Sequence, residues 1–326
     1  MSDIAISCLV QWYEYEIVKE YVESLLQALD YWGESKDFVT VDFCIYADQK
    51  FEKCVSDELF TSSLDSIYTT INKLEGHCKK LEIKEEYNYY SIARYRRDFN
   101  SKYCNRASIL VWGEADCLLP KQFFNLINII NNSAKDQNVY KFILTFAICK
   151  MWDNSWKNLE HPLFTDKDSK KEEEWWGTKY TMSLDEMNKI NYEIDTIEVK
   201  LIEPIKFNGC GLVFSSDIVN CGVNIPESIF FMHDDSAFLE VLKRYLPNCP
   251  QYHVSNLLLV HNRKHPKKRM NILGEEGIKD SRNVGQMRSK HEWYKKMFEY
   301  SSSNLKNLFN INYKSYSVKN FKELLP

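Results

Sequence analysis

Two carboxylates one residue apart, Glu114 and Asp116, follow the short apolar run at 108–112 and precede Pro120. Oxygens so spaced at the carboxyl end of a buried strand can hold a hard divalent cation. That edge of an open α/β sheet is also where ligands bind. Upstream, the segment SIARYRRDFN places Arg94, Arg96 and Arg97 on one predicted helix. Arg94 and Arg97 are three residues apart and share a face, so both guanidinium forks can reach one diphosphate. A plainer alternative stands beside each: carboxylates in strand-to-helix loops cap helices, and the arginines, with Arg106, can form a solvated face. A second acidic group, Asp234 and Asp235 after His233, lies between the apolar run 229–232 and a predicted helix, where a capping role is again the simple alternative. His261 closes a last apolar run at 257–260, with His265 the nearby substitute, and a lone loop histidine is more often structural than a ligand.

Three further groups carry weaker signals. Gln11, Trp12 and Tyr13 follow the first predicted strand, and Asp48 follows the second. Trp152, Trp156, Trp175 and Trp176 either pack or offer flat platforms to a sugar or base acceptor. The run RKHPKKR, with Lys267, Lys268 and Arg269 at its end, is the densest positive cluster. It is a solvated loop or a track for a diphosphate or a phosphate backbone.

The elements that must position these residues follow from hydrophobic pattern. Residues 4–10 (IAISCLV) and 39–47 (VTVDFCIYA) read as buried strands around a helix whose apolar face carries Ile17, Val18, Tyr21, Val22, Leu25 and Leu29. That succession predicts a right-handed parallel unit. Residues 64–86 read as a helix, followed by the arginine helix and the strand at 108–112. QFFNLINII forms a helix behind Pro120, and 142–149 form a strand. An insertion is expected at about 151–205, where the sequence turns aromatic and charged. Residues 209–232 return to strand-like sequence, then a helix is expected at 235–246 and a last strand at 257–260. The expected fold is α/β: a mostly parallel, Rossmann-like sheet flanked by helices, with an insertion and a helical C-terminal tail. Residues 1–270 would form the catalytic unit and 271–326 a loop and helical extension.

The chain has 326 residues, 44% hydrophobic and 27% charged, enough for a sizeable core. Its ten cysteines show no CxxC pair or regular framework, which fits reduced thiols in a cytosolic protein. No signal peptide pattern opens the sequence and no apolar run approaches a membrane span, so no membrane partner is expected. The net charge of -4 gives no global attraction to polyanions, so any such binding must be local. Abundant Tyr, Asn, Lys and Ile with few Gly and Pro suit an AT-rich genome such as many bacteriophages have, which would place the protein in a host cytoplasm.

In order along the chain, these motifs resemble the nucleotide-sugar glycosyltransferases of the A-type fold, especially the family-2-like ones. There an Arg-Asn pair on a helix precedes a strand ending in Asp-x-Asp. Here Arg97-Asp98 stands in place of Arg-Asn, and Glu114 in place of the first Asp. The resemblance spans about residues 4–261. It implies a nucleotide-sugar donor and a divalent metal, Mn²⁺ or Mg²⁺, held by Asp116 and His261. Glu114 would face the sugar or ribose, Arg94 and Arg97 the diphosphate, and Gln11 and Asp48 the nucleoside. Asp235, with Asp234 before it, matches the pair whose second carboxylate takes the acceptor hydroxyl's proton, with inversion at the anomeric carbon. For the acceptor, the phage-like composition and the basic segment suggest hydroxymethylcytosine in phage DNA, contacted by Trp152, Trp156, Trp176, Lys267, Lys268 and Arg269. A glycan or protein acceptor, or a binding protein without catalysis, is the alternative.

Overall fold

The computed structural model describes residues 3–47, 56–87, 90–148, 158–164, 182–261 and 292–310. Asp48, Trp152, Trp156, Trp176, Lys267, Lys268 and Arg269 lie outside them.

In chain order the elements are β1 (Ile4–Gln11), α1 (Ile17–Tyr31), α2 (Ser35–Phe38), β2 (Val39–Tyr46), α3 (Asp57–Ile71), β3 (Lys80–Glu86), α4 (Ile92–Tyr103), β4 (Ile109–Trp112) and β5 (Cys117–Leu118). There follow α5 (Phe123–Asp136), β6 (Ile143–Ile148), α6 (Leu184–Tyr192), β7 (Val199–Leu201), β8 (Leu212–Ser215), α7 (Ser216–Asn220), α8 (Asp234–Tyr245), β9 (Gln251–His261) and α9 (Glu292–Lys306). The strands form one sheet in the order β3-β2-β1-β4-β8-β6-β9-β5, with β7 also on β9. The fold is α/β. β1 to β4 are mutually parallel, β6 and β9 are parallel, and β8, β5 and β7 run antiparallel to their neighbours, which makes the sheet mixed.

Strand alternation divides the core between two faces. Ile4, Ile6, Cys8 and Val10 of β1, with Ile109 and Val111 of β4, pack under α1, α3 and α5. Ala5, Leu110, Trp112 and Phe214 face the other way, toward α4, α7 and α8. Both faces are covered, which explains why the strands read as continuous apolar runs.

The last strand starts at Gln251 rather than 257 and α7 interrupts the strand-like run at 209–232; two other elements differ more from the sequence expectation. Residues 64–86 are not one helix: α3 ends at Ile71, and Lys80–Glu86 form an edge strand paired with β2. Its Leu81 and Ile83 alternate with charged neighbours, the two-residue period of a half-exposed strand. Residues 229–232 are not a strand. Their main chain is tied to side chains instead, the Ser91 hydroxyl donating to the Phe230 carbonyl and Met232 N–H donating to Ser301 Oγ at 3.4 Å. Within the expected insertion, α6 starts on a Ser183/Glu186 capping box and β7 adds to β9.

α4 is fixed on its sheet face by a buried carboxylate. Asp42, in the middle of β2, accepts from Tyr95 Oη at 2.8 Å, Tyr103 Oη at 2.9 Å and Lys102 Nζ at 2.7 Å. Tyr95 Oη also accepts from the Cys8 N–H at 3.0 Å. This sets both the height and the rotation of α4, and so determines which arginine faces inward.

Candidate functional site

The inward arginine is Arg96. It shares the apolar face of α4 with Ala93, Phe99, Asn100 and Tyr103, all buried. One terminal nitrogen donates to Asp234 Oδ2 at 2.5 Å, and the other to Glu114 Oε1 at 2.6 Å and the Gly209 carbonyl at 2.8 Å. The guanidinium carbon lies 4.7 Å from the centre of the Trp112 ring. Burial alone would lower the arginine's pKa, but Asp234 and Glu114 outweigh it and hold the charge more firmly. One side chain thus joins the two acidic groups found in the sequence.

Topology brings the rest together. β4 ends at Trp112, the chain turns through Gly113 to Asp116, and β5 returns antiparallel to β9 with Cys117 opposite His261. That register sets His261 Nε2 at 3.2 Å from Glu114 Oε2 and 3.4 Å from Asp116 Oδ1. Gly113 is required at the turn, since a Cβ there would meet the Ser7 carbonyl at 2.5 Å and the Tyr21 hydroxyl. Burial pushes the Glu114 carboxyl up, but Arg96 and His261 more than reverse this and leave it below its ordinary value.

Gly209 and Cys210 reach the same place from the turn before β8. Among the described residues, Glu114, Cys210 and His261 each offer a ligand atom within 4.8 Å of the others. Oxygen, nitrogen and sulfur donors together, with the Asp116 oxygen beside them, fit a borderline divalent cation. Four carboxylates (Glu114, Asp116, Asp234 and Asp235) face one guanidinium and one imidazole, a surplus of negative charge that a cation would offset.

The two aspartates of α8 differ. Asp234 is buried and engaged by Arg96. Asp235 is half-buried; its Oδ2 accepts from Gly209 N–H at 3.2 Å and its Oδ1 from Ser236 N–H at 2.7 Å. Burial and the neighbouring Asp234 push its carboxyl up to about 6, a value suited to a proton acceptor near neutral pH. Both follow His233, which stands at the N-cap position of α8 in the left-handed region at φ 67°, its Nε2 hydrogen-bonded to Ser302 Oγ at 2.9 Å.

Glu114, Asp116, Asp234, Asp235 and His261 therefore stand together. Arg94 does not join them: it lies on the exposed side of α4, 3.8 Å from Asp98 and over the Tyr90 ring. Arg97 donates to the Pro226 carbonyl at 3.4 Å. Gln11 ends β1, its N–H donating to Glu14 Oε2 at 2.9 Å, while Trp12 beside it is wholly buried against Phe60. Gly209 and Cys210 are not legible as site residues in the sequence, and Arg96 stands there only as one of three arginines on its helix. The signal for Arg96 was its phase, a lone arginine on the apolar face of its helix; the NGCG turn gave none beyond its glycines.

No family model matches the sequence, and no curated protein matches it. Among solved structures, the mannosyltransferase PcManGT from Pyrobaculum calidifontis, in complex with GDP-Man and Mn²⁺, superposes with a TM-score of 0.43 at 10% identity over 99% of this chain and 78% of that one. UDP-glucose pyrophosphorylase superposes with a TM-score of 0.42 at 11% identity, covering 88% of this chain and all of that one. Its complex with UDP-glucose gives 0.41 at 10% identity.

Proposed function

We propose that the chain is a metal-dependent glycosyltransferase that moves a sugar from a nucleotide-sugar donor to an acceptor hydroxyl with inversion. The observation that carries this is the Arg96 bridge, which ties the Glu114–Asp116–His261 group to the Asp234–Asp235 pair in one charged assembly. Inverting transfer needs both functions side by side: charge compensation for the departing diphosphate and a base for the incoming hydroxyl.

Asp116 and His261 would hold the divalent cation, Mn²⁺ or Mg²⁺, with Glu114 turned toward the sugar or ribose. When bound, the metal supplies positive charge against the diphosphate oxygens. Asp234, engaged by Arg96, fixes the start of α8, and Asp235 takes the acceptor proton. Donor contacts beyond this assembly fall to Gln11, Asp48, Arg94 and Arg97. The test is release of nucleoside diphosphate from a panel of nucleotide sugars with and without Mn²⁺. Metal-dependent release from at least one donor is expected; none from any donor would reject the assignment.

For the acceptor, we propose hydroxymethylcytosine in phage DNA, on the strength of the basic segment and the AT-rich, phage-like composition. Lys267, Lys268 and Arg269 would contact the DNA backbone, and Trp152, Trp156 and Trp176 would line the acceptor path. Neutralising the three cations should flatten the salt dependence of DNA binding by up to about three phosphate equivalents. A wild-type protein that fails to bind such DNA at low salt would leave a glycan or protein as acceptor.

A further inference from the structure

We propose that Cys210 is itself a ligand of the cation, so that the site selects a thiophilic divalent ion of the Zn²⁺ or Co²⁺ kind, with Mn²⁺ accepted, over Mg²⁺ and Ca²⁺. This rests on the cation site proposed above and names what chooses among its ions.

The thiol is held in place by its turn. Asn208 Oδ1 accepts the Cys210 N–H at 2.8 Å. The glycines on either side let the backbone press against two other elements. A Cβ on Gly209 would meet the Arg96 guanidinium, and one on Gly211, at φ 66°, would meet the Leu259 side chain of β9. The turn is therefore wedged between α4 and β9, and Cys210, buried, is brought to His261 at the end of β9. A second observation converges there. The Tyr21 hydroxyl is fully buried and has no hydrogen-bond partner among the described residues. It lies against Gly113, at the head of the Glu114 turn, with the Cys117 and Cys210 thiols among its neighbours. A wholly buried hydroxyl is costly to leave unmatched, about 1–3 kcal/mol, and this one is within electrostatic reach of Glu114 and the Cys210 thiol.

Hard ions such as Mg²⁺ and Ca²⁺ take oxygen ligands, whereas a carboxylate, an imidazole and a thiolate suit Zn²⁺ or Co²⁺. On binding, the S–H bond is exchanged for a sulfur–metal bond and the proton passes to solvent.

Titration of the full chain with Co²⁺, followed by absorption, separates the possibilities without any turnover. Visible ligand-field bands report binding, and a near-ultraviolet thiolate-to-cobalt charge-transfer band reports a sulfur ligand. Both are expected for the wild type. Cys210→Ser should keep the ligand-field bands, lose the charge-transfer band and bind Co²⁺ on the order of tenfold more weakly, at least what loss of an outer partner costs a metal site. Cys117→Ser should retain the charge-transfer band. Ligand-field bands without charge transfer in the wild type, or a charge-transfer band that survives in Cys210→Ser, would overturn the thiol ligand and leave the cation site standing. No Co²⁺ binding at all would overturn both. Circular dichroism checks that each variant is folded.

Discussion

In the proposed function, Arg96 and Asp235 divide the work of the site between them. Arg96 is a buried cation with three acceptors in its reach, two of them carboxylates. A lysine ammonium is a point charge without the planar fork and cannot span the same three groups. Arg96→Lys is expected to leave one buried carboxylate uncompensated and to cost about 3 kcal/mol of stability. Urea unfolding measures this, and an unchanged midpoint would show that the bridge is not a structural centre. Asp235 accepts from the Gly209 and Ser236 N–H groups, and the role proposed for it is chemical. Asp235→Asn should preserve donor binding while turnover falls by about 10² or more. If Asp234→Asn shows the large loss instead, the neighbouring residue is the base. The pH dependence follows from the same group. A base works ionised, and the Asp235 carboxyl is pushed up to about 6, so kcat/KM should be full above that pH and fall as pH drops through it. The asparagine variant should lack this acidic limb; a limb that persists would assign it to another group.

At the scale of elements, the site depends on how α4 is seated, and Asp42 seats it. Asp42→Ala removes the acceptor of the Tyr103 hydroxyl and one acceptor of Lys102, and should cost about 2 kcal/mol. Thermal or urea unfolding checks this, with a wild-type-like value showing that packing alone holds the helix. Much of this layer was legible in the sequence. β1, α1, β2, β4, α5, β6 and α8 all stand within a few residues of where periodicity puts them, because long buried strands and amphipathic helices carry their own signal. β3 was not legible as a strand, since the apolar residues of α3 (Leu64, Ile67, Ile71, then Leu74) run on into it and its own alternation is only half-buried. The resemblance implies that Asp116 and His261 meet, yet what brings them together, the β5–β9 register, is a contact between distant segments that no local pattern encodes. Arg96 is not legible as a site residue for a related reason. Its phase sets it apart from Arg94 and Arg97 on the same helix, but its partner Asp234 lies 138 residues away, and only that partner gives the phase a meaning.

Across the whole molecule, the mixed sheet gathers the carboxyl ends of β4 and β9, the turn entering β8 and the start of α8 at one edge. Ligand binding at that edge is the general habit of open α/β sheets; here it also concentrates four carboxylates around one arginine and one histidine. No described helix is long and apolar enough to cross a membrane. In the proposed function this assembly binds a nucleoside diphosphate through a divalent cation. Calorimetry of the full chain with nucleoside diphosphates, with and without Mn²⁺, compared with Asp116→Ala, tests it most directly. Binding that needs Mn²⁺ in the wild type and disappears in Asp116→Ala is the expected result. Binding that is indifferent to the metal, or as strong in Asp116→Ala as in the wild type, would contradict it.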